Sequence, residues 1–213
     1  MKITVVYDNE VRWKGLKAGW GFSCLVEANG ISRILFDTGA NGPILLHNMK
    51  RLGLDPNAIE AVFISHEHFD HTGGLADILE VNRDAAIYVP ASFHQNIQGR
   101  QVIRVVESIR ICDKVYSTGE LGGIEQCLML DNGLGITVVT GCSHPGVVEI
   151  INAASRYGRV NGIIGGLHGF SDFGKLNDLS LICPCHCTQH KSVIRRLFPR
   201  QCVECGAGLV IER

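Results

Sequence analysis

No apolar run in this chain approaches the roughly 20 residues needed to cross a bilayer, and the longest candidates are broken by glycine or charge. A membrane-spanning protein is therefore not expected. Charge of one sign is missing too: 20 Lys and Arg against 21 Asp and Glu leave a net charge of -1, so no electrostatic footprint for nucleic acid or a membrane surface is expected. The opening residues, MKITVVYDNE, lack the apolar stretch and small-residue cleavage site of an export signal. The expected compartment is the cytoplasm. Internal repeats, low-complexity tracts and Pro/Ser-rich linkers are absent, which leaves no boundary for a second domain. A single domain over residues 1–213 is expected, long enough to cover a layered core without disulfides. Neither a Ser-His-Asp nucleophile nor a phosphate-cradling P-loop is apparent, and Gly122-Gly123 and Gly165-Gly166 read as turns.

What is present is an ordinary globular composition, 46% hydrophobic and 19% charged. Nine cysteines, an odd number spread from Cys24 to Cys205, suit a reducing compartment better than a disulfide scaffold. Short β-branched or apolar runs predict strands at 3–7, 22–27, 31–36, 61–64, 86–89, 102–106, 126–130, 136–140, 162–165 and 181–185. Helical spacing predicts helices at 43–52, 75–81, 146–157 and 191–198. Two strand-rich halves that each end in helices satisfy the layer rule as two facing sheets with helices outside both, a four-layer αββα sandwich in the α/β class.

One segment carries the chemistry: Ala-Val-Phe-Ile-Ser-His66-Glu67-His68-Phe69-Asp70-His71-Thr-Gly73-Gly74. It follows a buried-strand pattern and precedes a helix, so it lies on a loop at a strand end. In extended backbone His66 and His68 point the same way and can grip one ion, while a turn would aim Asp70 and His71 at a neighbouring position. Imidazole and carboxylate together form the N/O set used for zinc, iron or manganese. A surface loop that merely happens to be rich in histidine is the weaker reading, because four ligand-type residues fall within six positions.

His66-Glu67-His68-Phe69-Asp70-His71 resembles the HxHxDH signature of the metallo-β-lactamase superfamily, and Phe36-Asp37-Thr38-Gly39 resembles that family's turn beneath the metals. By this resemblance Asp37 orients a ligand or a backbone turn; taken alone it is equally an Asx turn. Further on, His144 in GCSHPG, His168 in GGLH and His186 in PCHCT each follow a predicted strand. These stretches resemble the family of the dihydropterin-ribofuranosylaminobenzene phosphate synthases of methanopterin biosynthesis. The resemblance gives His186 the last-histidine role on a second metal. His144 is the choice to complete the first site with His66 and His68, and His168 either ligates or contacts substrate. The superfamily often carries a bridging Asp where this chain reads Gly141-Cys142, so Cys142 is either a soft ligand or a buried thiol. His47, His94 and His190 are expected to be structural or surface residues. Cys183, Cys185 and Cys187 are expected on one strand face with His186 on the other. They and Cys202-x-x-Cys205 admit a separate zinc or iron–sulfur site, although small buried residues explain the first three more cheaply.

The resemblance implies two divalent ions, zinc foremost with manganese or iron as alternatives, held by His66, His68, Asp70, His71, His144 and His186. Such a pair activates water for attack on an ester, phosphoester or related bond of a small molecule. Asp70 would then hold the nucleophile or take its proton, and His168 would stabilise developing negative charge. The family's other chemistry is a transferase step that joins a pterin methyl carbon to an aromatic acceptor. The chain is short for that family between His71 and His144 and between His168 and His186, which favours a hydrolase. A di-iron redox protein, suggested by Glu67 inside the motif, and a non-enzymatic metal-binding module are the remaining readings. Oligomeric state leaves no sequence signature here.

Overall fold

The computed structural model describes residues 1–28 and 31–212. Its first sheet takes the strands β1 (Lys2–Tyr7), β2 (Ser23–Ala28), β3 (Ile31–Phe36), β4 (Ala61–Phe63), β5 (Ala86–Pro90), β6 (Val102–Val105) and the late β13 (Val210–Glu212), in the order β13-β1-β2-β3-β4-β5-β6. The second holds β7 (Glu107–Cys112), β8 (Val115–Gly119), β9 (Leu128–Asp131), β10 (Ile136–Thr140), β11 (Val160–Gly166) and β12 (Leu181–Cys185), in the order β12-β11-β10-β9-β8-β7. Strands β3 to β6 run parallel, as do β10 to β12, and the remaining pairs are antiparallel.

Three buried clusters separate the layers. Val5, Phe22, Phe36 and Phe63 meet Leu128, Val139, Ile164 and Leu181 between the sheets. Leu35, Val62 and Ile87 pack outward on Leu45 and Met49 of α1 (Gly42–Arg51) and Ile78 of α3 (Leu75–Val81). Val138 and Ile163 pack on Ile150 of α4 (Val147–Ser155) and Ile194 of α5 (Lys191–Leu197). This is the expected αββα sandwich. Helix α1 starts where Asn41 Oδ1 caps the Ile44 amide and Pro43 fits the first turn, and Lys50 and Arg51 complement its last turn.

Three strands escaped the sequence reading. Hairpin β7–β8 turns at Lys114 and sits at the sheet edge, where β7 is half-exposed and carries no continuous apolar run. The three residues of β13 gain their strand character from pairing with β1 across the length of the chain. The strand expected from 126 begins at Leu128 instead. Gln126 is diverted: its amide N–H donates to Ser65 O at 2.9 Å and its Nε2 to Ile64 O at 2.9 Å, tying the second sheet to the loop after β4. Among the described residues no helix is long and apolar enough to cross a membrane.

Candidate metal centre

The C-terminal ends of β1, β3, β4, β10, β11 and β12 meet along one rim, and every histidine predicted for the site lies there. After β4 the chain leaves the sheet through Ser65 to buried His66 and exposed His68; the short helix α2 (Phe69–Thr72) then presents Asp70 and His71. The rings of His66, His68 and His144 form a triangle with every centroid pair 4.7 Å apart. His66 Nε2 and His144 Nε2 are 3.2 Å apart. His71 leans on His66 at 4.2 Å and on His186 at 5.2 Å, and His186 Nε2 reaches Asp70 Oδ2 at 3.0 Å. The six residues nominated as ligands therefore form one continuous cluster.

A single buried carboxylate sets the imidazole tautomers. Asp37, at the end of β3, accepts the Ser65 amide N–H on Oδ1 and the Ser65 hydroxyl on Oδ2, both at 2.7 Å. His71 Nδ1 lies 2.6 Å from the same Oδ2, and His66 Nδ1 lies 2.9 Å from Ser65 Oγ. With its own proton committed to Asp37, the Ser65 hydroxyl can only accept from His66, so His66 carries its proton on Nδ1 and turns a bare Nε2 into the cluster. His186 Nδ1 is likewise engaged by Asn9 Oδ1 at 2.9 Å, and the His186 amide by Asp8 Oδ1 at 2.9 Å. Burial, reinforced by His71, His144 and His68, holds His66 far below the ordinary imidazole range. Burial also lowers His144 and His186. For His71 burial acts the same way, but the Asp37 charge outweighs it and the pKa rises. Asp70 would be raised by its own burial, yet the His186 hydrogen bond and the His71 charge keep it well below the usual carboxylate range.

The opposite wall is organised by Glu125, which is fully buried. Its Oε1 accepts from Thr140 Oγ1 at 2.8 Å and from the amides of Gly141, Cys142 and Ser143 at 2.9, 3.1 and 3.2 Å, while Oε2 accepts the His144 amide at 2.9 Å. This wraps the GCSH loop around one side chain and points Cys142 inward. Cys142 Sγ lies 3.2 Å from His71 Nε2 and also within reach of His66, His144, His168 and His186. The His168 ring lies against His144 at 4.7 Å, tilted by 52°, and its buried Nε2 has no hydrogen-bond partner among the described residues. Of the five non-glycine residues at positive φ among the described residues, Asp37, Ser143, His168 and His186 all lie here. Left-handed backbone at four non-glycine residues is strain concentrated at a working site.

Sequence reasoning missed Glu125, whose Gly122-Gly123 neighbourhood reads only as a turn, and missed Asp8, Asn9 and Ser65. It also missed Trp20, whose Nε1–H donates to Asp70 Oδ2 at 3.0 Å and whose ring meets His186 at 4.8 Å. The carboxylate of Glu67 accepts the amides of His94 and Gln95 at 2.7 and 2.8 Å, a loop-fixing role that accounts for it without redox chemistry. His47 meets the Gly15 carbonyl, His190 packs on Phe173, and His94 is exposed. The expected common face for Cys183, Cys185 and Cys187 is corrected. The strand stops at Cys185 because His186 takes φ 43°. Cys183 and Cys185 stay in the inter-sheet core, whereas Cys187 turns away toward the Cys142 carbonyl.

The chain belongs to the metallo-beta-lactamase superfamily, whose family model matches residues 21–151. It is 30% identical over 241 residues to the 7,8-dihydropterin-6-methyl-4-(beta-D-ribofuranosyl)-aminobenzene-5'-phosphate synthase of Methanocaldococcus jannaschii, with 82% of each chain covered. It is similar over a shorter stretch to an atrochrysone carboxyl ACP thioesterase of Emericella nidulans, at 37% identity over 103 residues, 45% of this chain and 33% of the relative. Among solved structures, Tm1679, a metal-dependent hydrolase of the beta-lactamase superfamily, superposes with a TM-score of 0.79 at 26% identity, covering 100% of this chain and 99% of the other. The superfamily fold generally binds divalent metals.

Proposed function

We propose that this chain is a dinuclear metallohydrolase acting on an ester, phosphoester or related bond of a small molecule. The observation that carries the reading is the convergence of imidazole Nε2 atoms on one cluster while Nδ1 of His66, His71 and His186 is held from behind by Ser65, Asp37 and Asn9. Histidines that ligate metals are oriented in this way by a partner on the other ring nitrogen. The spacing suits zinc as well: donors at about 2.05 Å from a tetrahedral ion stand about 3.3 Å apart, against 3.2 Å between His66 Nε2 and His144 Nε2. His66, His68 and His144 would hold one divalent ion, and Asp70, His71 and His186 the other, with the Cys142 thiol between them. Bound there, the pair supplies Lewis acidity and an acidified water.

The chain's own residues supply the rest. Asp70 remains a carboxylate and takes the proton of the attacking water, steadied by the Trp20 indole N–H. His168 Nε2, unpartnered among the described residues, faces the reacting group and donates to the oxygen on which charge develops. Trp20 and Phe69, 56% and 68% exposed beside Asp70, offer apolar surface to the organic part of a substrate.

Identity to the synthase supports a second reading, group transfer to an aromatic acceptor. Against it stands length. That alignment runs over 241 positions although this chain has 213 residues, so the relative carries insertions missing here. Tm1679 matches this chain end to end. The deciding experiment loads the protein with zinc, manganese or iron in turn. It then assays a panel of carboxylic esters, lactones and phosphodiesters beside a coupling reaction between a dihydropterin methyl diphosphate and an aminobenzene riboside phosphate. Hydrolysis abolished by chelator and by Asp70→Asn supports the proposal; coupling without hydrolysis overturns it in favour of the transferase.

A further inference from the structure

Behind the imidazole rim, the apolar core between the sheets contains a cluster of sulfur. Cys183 and Cys185 of β12 face into this core with Cys205 from the segment before β13, at 1%, 0% and 5% exposure. Their three sulfurs lie within 4.8 Å of one another, and Cys183 Sγ and Cys185 Sγ are 3.8 Å apart. A zinc ion with thiolates at about 2.3 Å places its sulfurs about 3.8 Å apart along each tetrahedral edge. That separation is too long for a disulfide, whose sulfurs stand about 2.05 Å apart.

Buried cysteine is often only a small apolar side chain, but that role sets no requirement that sulfurs from separate segments meet at one point. The Cys202-x-x-Cys205 spacing gives the cluster a second chelating arm beside β12, and Cys202 pairs with Ile182 of that strand through an isolated bridge. A cavity of about 220 Å³ lined by Pro184, Lys191, Arg195, Cys202, Glu204 and Cys205 borders the cluster on its Cys205 side. Cys24 of β2 borders the same core patch.

We infer that Cys183, Cys185 and Cys205 form a thiolate site for a thiophilic divalent ion of the zinc class, separate from the histidine cluster, with its fourth position on the side of the cavity and Cys202. Loading exchanges the thiol protons for the ion and releases them to solvent. The ion ties β12 to the segment before β13 directly behind His186, and so stiffens the strand end from which that histidine projects.

Cobalt reports the site, because thiolate ligation gives a sulfur-to-cobalt charge-transfer band that histidine and carboxylate ligation do not. The chain carrying Cys142→Ser and Cys187→Ser, which removes the two thiols beside the imidazoles, is saturated with Co(II). The band is expected to persist and to disappear when Cys183→Ser and Cys205→Ser are added, with cobalt content falling by one ion per chain. Wild-type crystals soaked in zinc provide the measurement that needs no variant, through an anomalous peak among the three sulfurs. A saturated protein with a peak at the histidines and none at the thiols overturns the inference, as does a disulfide joining any two of the three.

Discussion

The sharpest perturbation is Glu125→Gln. The carboxylate collects five donors, four on Oε1 and one on Oε2. A glutamine keeps one oxygen, which the four donors of Thr140, Gly141, Cys142 and Ser143 retain. Its amide nitrogen then opposes the His144 N–H, donor against donor. The lost charge-assisted bond is worth about 1.5–3 kcal/mol and the stranded buried N–H costs about 1–3 kcal/mol, so the metal-free protein should lose roughly 2.5–6 kcal/mol. That is a large share of a typical total of about 5–15 kcal/mol. Because the strain is relieved by moving His144, metal affinity should fall about 10–100-fold, as for other residues that hold a ligand from behind. Urea unfolding of the chelator-treated protein gives the first quantity and competition with a chromogenic chelator gives the second. Stability unchanged to within about 0.5 kcal/mol, the usual range for a neutral surface change, together with unchanged affinity, would falsify the claim that this carboxylate shapes the loop. Glu125→Ala strands all five donors and should fail to fold.

Acid should destabilise the metal-free protein. His66 and His186 are held below the ordinary value of 6.5, so below that pH the unfolded chain binds protons that the folded one refuses. Stability then falls by up to about 1.4 kcal/mol per pH unit for each. His71, raised by Asp37, acts in the opposite sense, its contribution being complete below 6.5 and lost as pH rises through its folded value. It therefore leaves the slope on the acid side untouched. Burial lifts Asp8 to about 7 and raises Asp37, so these carboxyls take up protons in the folded state and offset part of the loss. In Asp8→Asn, which keeps the acceptor for the His186 amide and removes the titration, a denaturation midpoint no lower at pH 5.5 than at pH 6.5 would contradict the assignment. Trp20→Phe removes the donor to Asp70 Oδ2 while keeping an aromatic ring. Turnover should drop and the acid limb of the pH–rate profile should move to higher pH, with little change in melting temperature. A Cβ at Gly141 would overlap Ser65 Oγ and press on His66 Nδ1. Gly141→Ala should cost about 1–3 kcal/mol and weaken metal binding, detectable by calorimetric titration; unaltered binding would mean that the Ser65 link is dispensable.

The legible part of this molecule was local. Four ligand-type residues within six positions announce a metal loop, and the strand-end positions of His144, His168 and His186 can be read from apolar runs and the glycines around them. What stayed hidden depends on separation. Asn9 and His186 lie 177 residues apart, and His71 and Cys142 lie 71 apart. Glu125 looks like any turn residue until folding delivers five donors to it, and Trp20 looks like an exposed aromatic until Asp70 meets its N–H. Strand β7 was invisible for a different reason: a half-exposed edge strand needs no apolar run.

Two buried acids, one from each half of the sandwich, divide the work of building the site. Asp37 of the first sheet aims His66 and His71, and Glu125 beside the second sheet aims Cys142 and His144. They are joined through one junction, since Ser65 donates to Asp37 with its N–H and hydroxyl while its carbonyl accepts the N–H of Gln126, the residue after Glu125. Gln126 also reaches Ile64 O with its side chain. Neither half can therefore hold its imidazoles in place alone: each carboxylate is buried only when the sheets close, and burial is what makes its hydrogen bonds too costly to exchange for water. The site forms with the sandwich, and binding energy gained there is folding energy for the whole chain.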